Sequence, residues 1–258
     1  MSISTEERRL KLTIAYNGAK FRGWQKGNGR TLQSTLIEAM ERALPDAGPV
    51  RIDGAGRTDA GVHAEGQVAS AVVPRSAHPE QLLQLVNRYL PADMAVRAVE
   101  SAGDRFHARY HAVARTYRYT IVDGPVGDPF LNGLTWRHPG DLNDLAMQRA
   151  AEVFTGEHDF AAFTADKKRS NTVRRVFSIK VSRRPKAVSG QAPQPLDICV
   201  RGDSFLWRQV RMMVGALVLC GEGSLSTDEL QSILRSGDRS RAPAPAPAWG
   251  LTLISVDY

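Results

Sequence analysis

Residues 54–68, GAGRTDAGVHAEGQV, set Arg57, Asp59 and His63 among four glycines. A tight bend needs glycine and accepts aspartate, but it does not need Arg-Thr-Asp in a row. An aspartate placed so openly can serve as nucleophile or base if it stays ionised. A guanidinium beside it favours the charged form and holds it in place. Arg57 is the neighbour in sequence, and a distant arginine such as Arg211 is the other candidate for that pair. The glycines would let a large substrate approach the backbone closely. An aspartate that merely stabilises the turn is the competing reading.

Other chemistries fit this sequence poorly. The glycine-rich stretch does not end in GK[ST], which excludes a Walker phosphate loop. Gly54, Gly56 and Gly61 miss the GxGxxG spacing of a dinucleotide site. Asp53 and Asp59 lack the alternating oxygen ligands of a calcium loop. There is no HExxH, the six histidines form no close metal pair, and there is no GxSxG elbow. Cys199 and Cys220 have no CxxC spacing and read as buried thiols. His63 lies near Asp59 in sequence, and a structural hydrogen bond is favoured for it over an acid–base role.

The elements that must carry this loop come in two similar series. LKLTIAY (10–16) alternates as a strand, and TLQSTLIEAMERAL (31–44) has helical spacing with Thr31 as cap. Short strands at 50–53 and 66–73 flank the glycine-rich bend. A helix over 79–90 and a strand over 94–100 follow, with Pro79 suited to the first turn. The second series has strands at 116–122, 176–182, 196–203 and 250–258. Its helices span 141–156, capped by Asp141 with Gly156 just past the end, then 207–221, then 226–237 with Ser226 and Glu229 at capping-box spacing. APAPAPA (242–248) reads as a stiff extended loop and 186–195 as a surface loop. The expected organisation is two α+β domains, 1–108 carrying the Asp59 loop and 109–258 completing the site.

Hydrophobic residues at 42% and charged residues at 24% are an ordinary globular mix, so disorder is not expected. The net charge of +7 points to a polyanionic partner, and its placement sharpens that. Residues 8–30 carry seven Lys/Arg and no acid, 105–118 carry four arginines and no acid, and 165–186 carry nine Lys/Arg against Asp166. Such runs suit a groove that tracks a phosphate backbone. Trp24, Phe106, Tyr117 and Tyr119 lie near basic residues, where rings can stack on unpaired bases. No apolar run is long enough for a secretory signal or a membrane span, so a cytoplasmic protein is expected.

Six ordered blocks carry a resemblance to a known family. GRTDAGVHA (56–64) resembles the signature of the tRNA pseudouridine synthase A (TruA) family. YNGAKFRGWQ (16–25), FHARYHAVARTYRY (106–119), GEHDFAAF (156–163), FLWRQVRMMVG (205–215) and AWGLTLISVDY (248–258) are similar to its other blocks. The chain departs from the family pattern at Asn17, where aspartate is usual, and at Arg208, Gln209 and Met212 beside Arg211.

The resemblance implies the pseudouridine synthase fold: two ferredoxin/RNP-like α+β domains, joined mainly antiparallel sheets and a basic cleft between them. It implies a homodimer that holds tRNA, without metal or organic cofactor. It implies isomerisation of uridine in the anticodon stem-loop, at roughly positions 38 to 40, on a base that must be unstacked. Asp59 takes the place of the catalytic carboxylate and Tyr117 that of the ring against the target base. Arg211 takes the cation paired with the aspartate, Arg57 the arginine that steadies the RNA or fills the space left by the flipped base, and Leu251 the wall of the uracil pocket. Two rival classes remain at this point: a catalytically silent RNA-binding protein, and another uridine-modifying enzyme such as a methyltransferase. The second would need a cofactor loop that is not evident here.

Overall fold

The computed structural model describes residues 6–166, 168, 170–185 and 194–258. The chain gathers into two compact units, one running to Val113 and rejoined by Leu253–Tyr258, the other Ala114–Thr252. Both are α+β, with strands that pair almost wholly antiparallel.

In the first unit, β1 (Glu7–Tyr16) lies between β3 (His63–Pro74) and β4 (Met94–Ala102), and β2 (Arg51–Gly54) pairs with β3. Leu10, Leu12 and Ile14 alternate along β1 and are all fully buried, the two-residue period of a strand with one face in the core. Helix α1 (Leu32–Ala43) buries Leu32, Leu36, Ala39, Met40 and Ala43. Thr31 caps it as expected, within a capping box completed by Ser34. Helix α2 (Pro79–Tyr89) starts at its proline and buries Leu82 and Val86. It packs against α1 and β4.

In the second unit the strand order is β5 (Ala114–Asp123), β9 (Leu196–Gly202), β8 (Val173–Arg183) and β7 (Gly156–Asp159). A short strand β6 (Trp136–His138) pairs with β5 in parallel. Helix α3 (Asp144–Ala151) packs on β8 and on α4 (Gln209–Gly221), and α5 (Thr227–Ser236) begins with the expected Ser226–Glu229 capping box. Strand β10 (Leu251–Asp257) closes the chain, with its residues from Leu253 onward belonging to the first unit.

Several expectations change. Asp141 does not cap α3; Asn143 does, accepting the Ala146 N–H at 3.0 Å. The residues before it are held out of the helix by an ion pair. Arg183 grips Asp123 through two contacts of 2.8 Å, the Leu142 N–H donates to Asp123, and the Leu142 carbonyl accepts from Arg183. The same helix stops at Ala151 and tightens into a 3-10 turn, and Gly156 opens β7. Cys220 is buried, whereas Cys199 is half-exposed on β9. Residues 186–193 of the expected surface loop lie outside the described residues.

Part of the excess basic charge is matched locally. Arg30 makes a two-point pair with Asp93, Lys11 reaches Glu100 at 3.2 Å, and Arg184 holds Asp197. Among the described residues, no helix is long and apolar enough to cross a membrane.

Candidate active site

Asp59 and Arg57 lie in the first unit, on the loop between β2 and β3. Asp59 is half-buried and Arg57 exposed. The loop turns at Gly61, whose φ of +82° lies in the region that glycine occupies without strain, and the Val62 N–H closes the turn on the Asp59 carbonyl at 3.2 Å.

The block at 16–25 fixes this loop from behind. The Tyr16 and Thr58 hydroxyls are 2.9 Å apart, and the Trp24 N–H donates to the Thr58 carbonyl at 3.0 Å. Gln67, fully buried in β3, donates to the Gly56 carbonyl at 3.1 Å and reaches the Tyr16 hydroxyl at 3.5 Å. The Gly18 N–H donates to His63 Nδ1 at 3.1 Å. This bond gives buried His63 the structural role expected for it and leaves that nitrogen an acceptor. The glycines of the block are needed for contact. A Cβ on Gly18 would collide with the Val62 carbonyl, and one on Gly23 would stand 2.8 Å from the Thr58 carbonyl. Asn17 caps the turn at Gly18–Lys20 by accepting the Ala19 N–H at 3.1 Å, so an amide here fills that role.

Tyr117, Arg211 and Leu251 belong to the second unit. Tyr117 and Tyr119 sit two apart on β5 and share a face. Tyr119 is fully buried, while Tyr117 is half-buried with its ring edge-on to Phe205 at 5.5 Å. Helix α4 is buried nearly all round, Arg211 and Leu219 alone being half-exposed. Arg211 is the one charged side chain of this helix.

Arg211 is latched to the segment that precedes β10. The Ala246 N–H donates to the Arg211 carbonyl at 2.9 Å, and Arg211 Nε donates to the Ala246 carbonyl at 2.7 Å. Gly215 lets the same segment lie against α4, since a Cβ there would be 2.5 Å from the Ala244 carbonyl oxygen. Tyr119 donates to the Pro247 carbonyl at 2.9 Å, and Gly250 packs flat on its ring. Burial pushes the Tyr119 phenol well up, while the nearby Arg211 charge opposes that rise. The phenol is thus a fixed donor. These contacts deliver buried Leu251 to the start of β10.

Sequence reasoning missed Tyr16, Thr58 and Gln67 as supports and Phe205 as the partner of Tyr117. The available signal was Gln67, the one amide of β3, placed directly before the mostly apolar VASAVV.

A family described as tRNA pseudouridine synthase matches residues 13–111 and 150–258. The chain is 41% identical to tRNA pseudouridine synthase A of Methylacidiphilum infernorum, covering 96% of this chain and 94% of that one. It is 41% identical to the protein of the same name from Solidesulfovibrio magneticus, over 97% of this chain and 91% of that one. The Syntrophotalea carbinolica protein of that name is 39% identical, with 96% of each chain covered. The matched segments contain the Asp59 loop and the residues that brace it, along with Arg211 and Leu251. With relatives matched over nearly their whole length, the chain belongs to the tRNA pseudouridine synthase family.

Proposed function

We propose that the tRNA pseudouridine synthase activity of this chain acts on uridines of the anticodon stem-loop, at roughly positions 38 to 40, after the target base has been unstacked. Asp59 is the reacting carboxylate, and no metal or organic cofactor takes part. The observation that carries this reading is the bracing of the Asp59 loop, whose neighbour Thr58 is held by Tyr16 and Trp24. A carboxylate presented on a fixed backbone meets the positional demand of covalent or general-base catalysis.

The reaction breaks the N1–C1′ bond, turns the uracil and joins C5 to C1′, and the C5 proton leaves. N1 takes up a proton in exchange, so the product is an isomer, and one carboxylate acting at C1′, at C6 or at the C2′ proton suffices. Arg57 occupies the space of the extruded base or steadies the RNA, and Tyr117 packs on the uracil, which together offset the few kcal/mol lost on unstacking. Arg211 pairs with the carboxylate and holds it in place. Leu251 walls the pocket and keeps water from the exposed sugar.

In this reading a domain of residues 1–108 supplies the Asp59 loop and 109–258 completes the site. The protein works in the cytoplasm as a homodimer that holds one tRNA across both subunits. The basic runs and the family support tRNA as the partner.

The test uses unmodified tRNA tritiated at uridine C5, with neither metal nor cofactor added. Tritium release to water, with product mapped to the anticodon stem-loop, is expected. Absence of release from tRNA that binds tightly would overturn the reading.

A further inference from the structure

We infer that Trp207 and Arg208 form a docking step for one unpaired nucleotide of the RNA, its base on the indole and its phosphate on the guanidinium. The inference deepens the proposed function and rests on it.

Two costly features coincide at these residues. Trp207 is 52% exposed although it is the largest apolar side chain available. Arg208 has φ 63°, the one non-glycine residue with positive φ among the described residues. A side chain there is strained, and glycine or asparagine would relieve it. Strain of this kind persists where the surroundings hold it and gathers at sites of function.

The surroundings do hold it. The Trp207 carbonyl accepts the Ala165 N–H at 3.0 Å and the Thr164 hydroxyl at 3.4 Å. On the other side, buried Gln209 accepts the Leu206 N–H at 2.8 Å. Between these anchors the backbone is pinned, and both side chains are turned outward. The Arg208 guanidinium lies over the indole, 4.8 Å from the ring centre. A stacked ring with an adjacent cation is the arrangement that grips a single-stranded nucleotide without reading its sequence.

Position and charge select the occupant. Phe205, two residues earlier, carries the ring of Tyr117, and Arg211 follows three residues after Arg208. The net charge of +7 and the exposed cation disfavour a cationic or apolar partner and favour a polyanion with flat faces. A nucleotide next to the target uridine meets both demands.

The experiment measures binding of unmodified tRNA in an Asp59→Asn background, which keeps the RNA unconverted, together with melting temperatures. Trp207→Ala is expected to weaken binding about tenfold, within the range for loss of one stacked base, and Trp207→Phe to restore most of it. Arg208→Gln lowers the slope of log affinity against log salt by roughly 0.7 to 0.9, the loss of one phosphate contact. Arg208→Gly weakens binding as well, yet melts no more than about 2 °C below its parent because the strain is relieved. Wild-type affinity in Trp207→Ala would overturn the inference, as would affinity losses that follow losses of melting temperature. If the parent itself binds no tRNA and the wild type releases no tritium, the proposed function has failed and this inference with it. If both succeed and only the Trp207 and Arg208 variants behave as wild type, this inference alone falls.

Discussion

The Tyr16 and Thr58 hydroxyls meet at 2.9 Å inside the first unit, both side chains buried, and Thr58 is the residue that precedes Asp59. Two blocks of sequence about 40 residues apart are thereby joined at the point where the carboxylate leaves the backbone. Gln67 adds a second contact, from β3 to Gly56. These bonds brace the backbone that carries Asp59, which the role proposed for it at attack distance requires.

Tyr16→Phe removes the hydroxyl and leaves the Thr58 side chain buried without this partner. Stability should fall by about 1 kcal/mol, and kcat should fall more than KM rises, because tRNA binding draws on other surfaces. Parallel denaturation and steady-state kinetics check both. A KM effect with unchanged kcat would count against a positioning role for Tyr16.

Gly18→Ala tests the close approach. The added methyl group meets the Val62 carbonyl, and the turn that donates to His63 must shift. A loss of about 2 kcal/mol is expected, as for overpacking elsewhere, with activity reduced at temperatures where the protein remains folded. An unchanged melting curve would show that the loop yields easily.

How far the sequence revealed these features depended on the range of the contacts. Thr31, Ser226 with Glu229, and Pro79 were legible as helix starts because caps act over three or four residues. Asp141 misled because a tertiary contact, Arg183 on Asp123, holds the chain extended there and moves the cap to Asn143. Asp59 stood out because its neighbours were too many glycines for an ordinary strand connection. Its supports did not, since Tyr16 reads as a strand end and Thr58 as part of the motif until their hydroxyls are seen to touch. Arg208 in the left-handed region had no sequence signal, because nothing local requires it.

Tyr117→Leu should lower kcat/KM by about ten- to a hundredfold, the worth of one ring against one base, while circular dichroism stays native. Tyr117→Phe keeps the ring and the edge contact with Phe205 and should lose much less. Equal losses in the two variants would move the importance of Tyr117 from its ring to its hydroxyl.

The Asp123–Arg183 pair predicts a pH dependence of stability. Burial raises the Asp123 carboxyl, but hydrogen bonds from Arg183 and the Leu142 N–H outweigh that and hold it below the ordinary carboxylate value. A folded pKa below the unfolded one gives stability that is present above roughly pH 4, the unfolded value, and lost as pH falls through the folded pKa. Asp123→Asn should cost about 1 to 2 kcal/mol at pH 7, since it removes the two-point partner of Arg183 and leaves Asp144, 3.7 Å away, as the remaining carboxylate of that ion pair. The gap between variant and wild type should close on acidification. A gap that stays constant from pH 7 to about pH 2 would contradict the linkage.

Single-turnover tritium release with Asp59→Asn asks whether the Asp59 carboxylate does the chemistry, as proposed. The substitution keeps the size of the side chain and removes its charge. Near-native affinity for unmodified tRNA is expected, with release slowed by at least about a thousandfold, the scale seen when a reacting group is lost. Release at a near-native rate by that variant would contradict it.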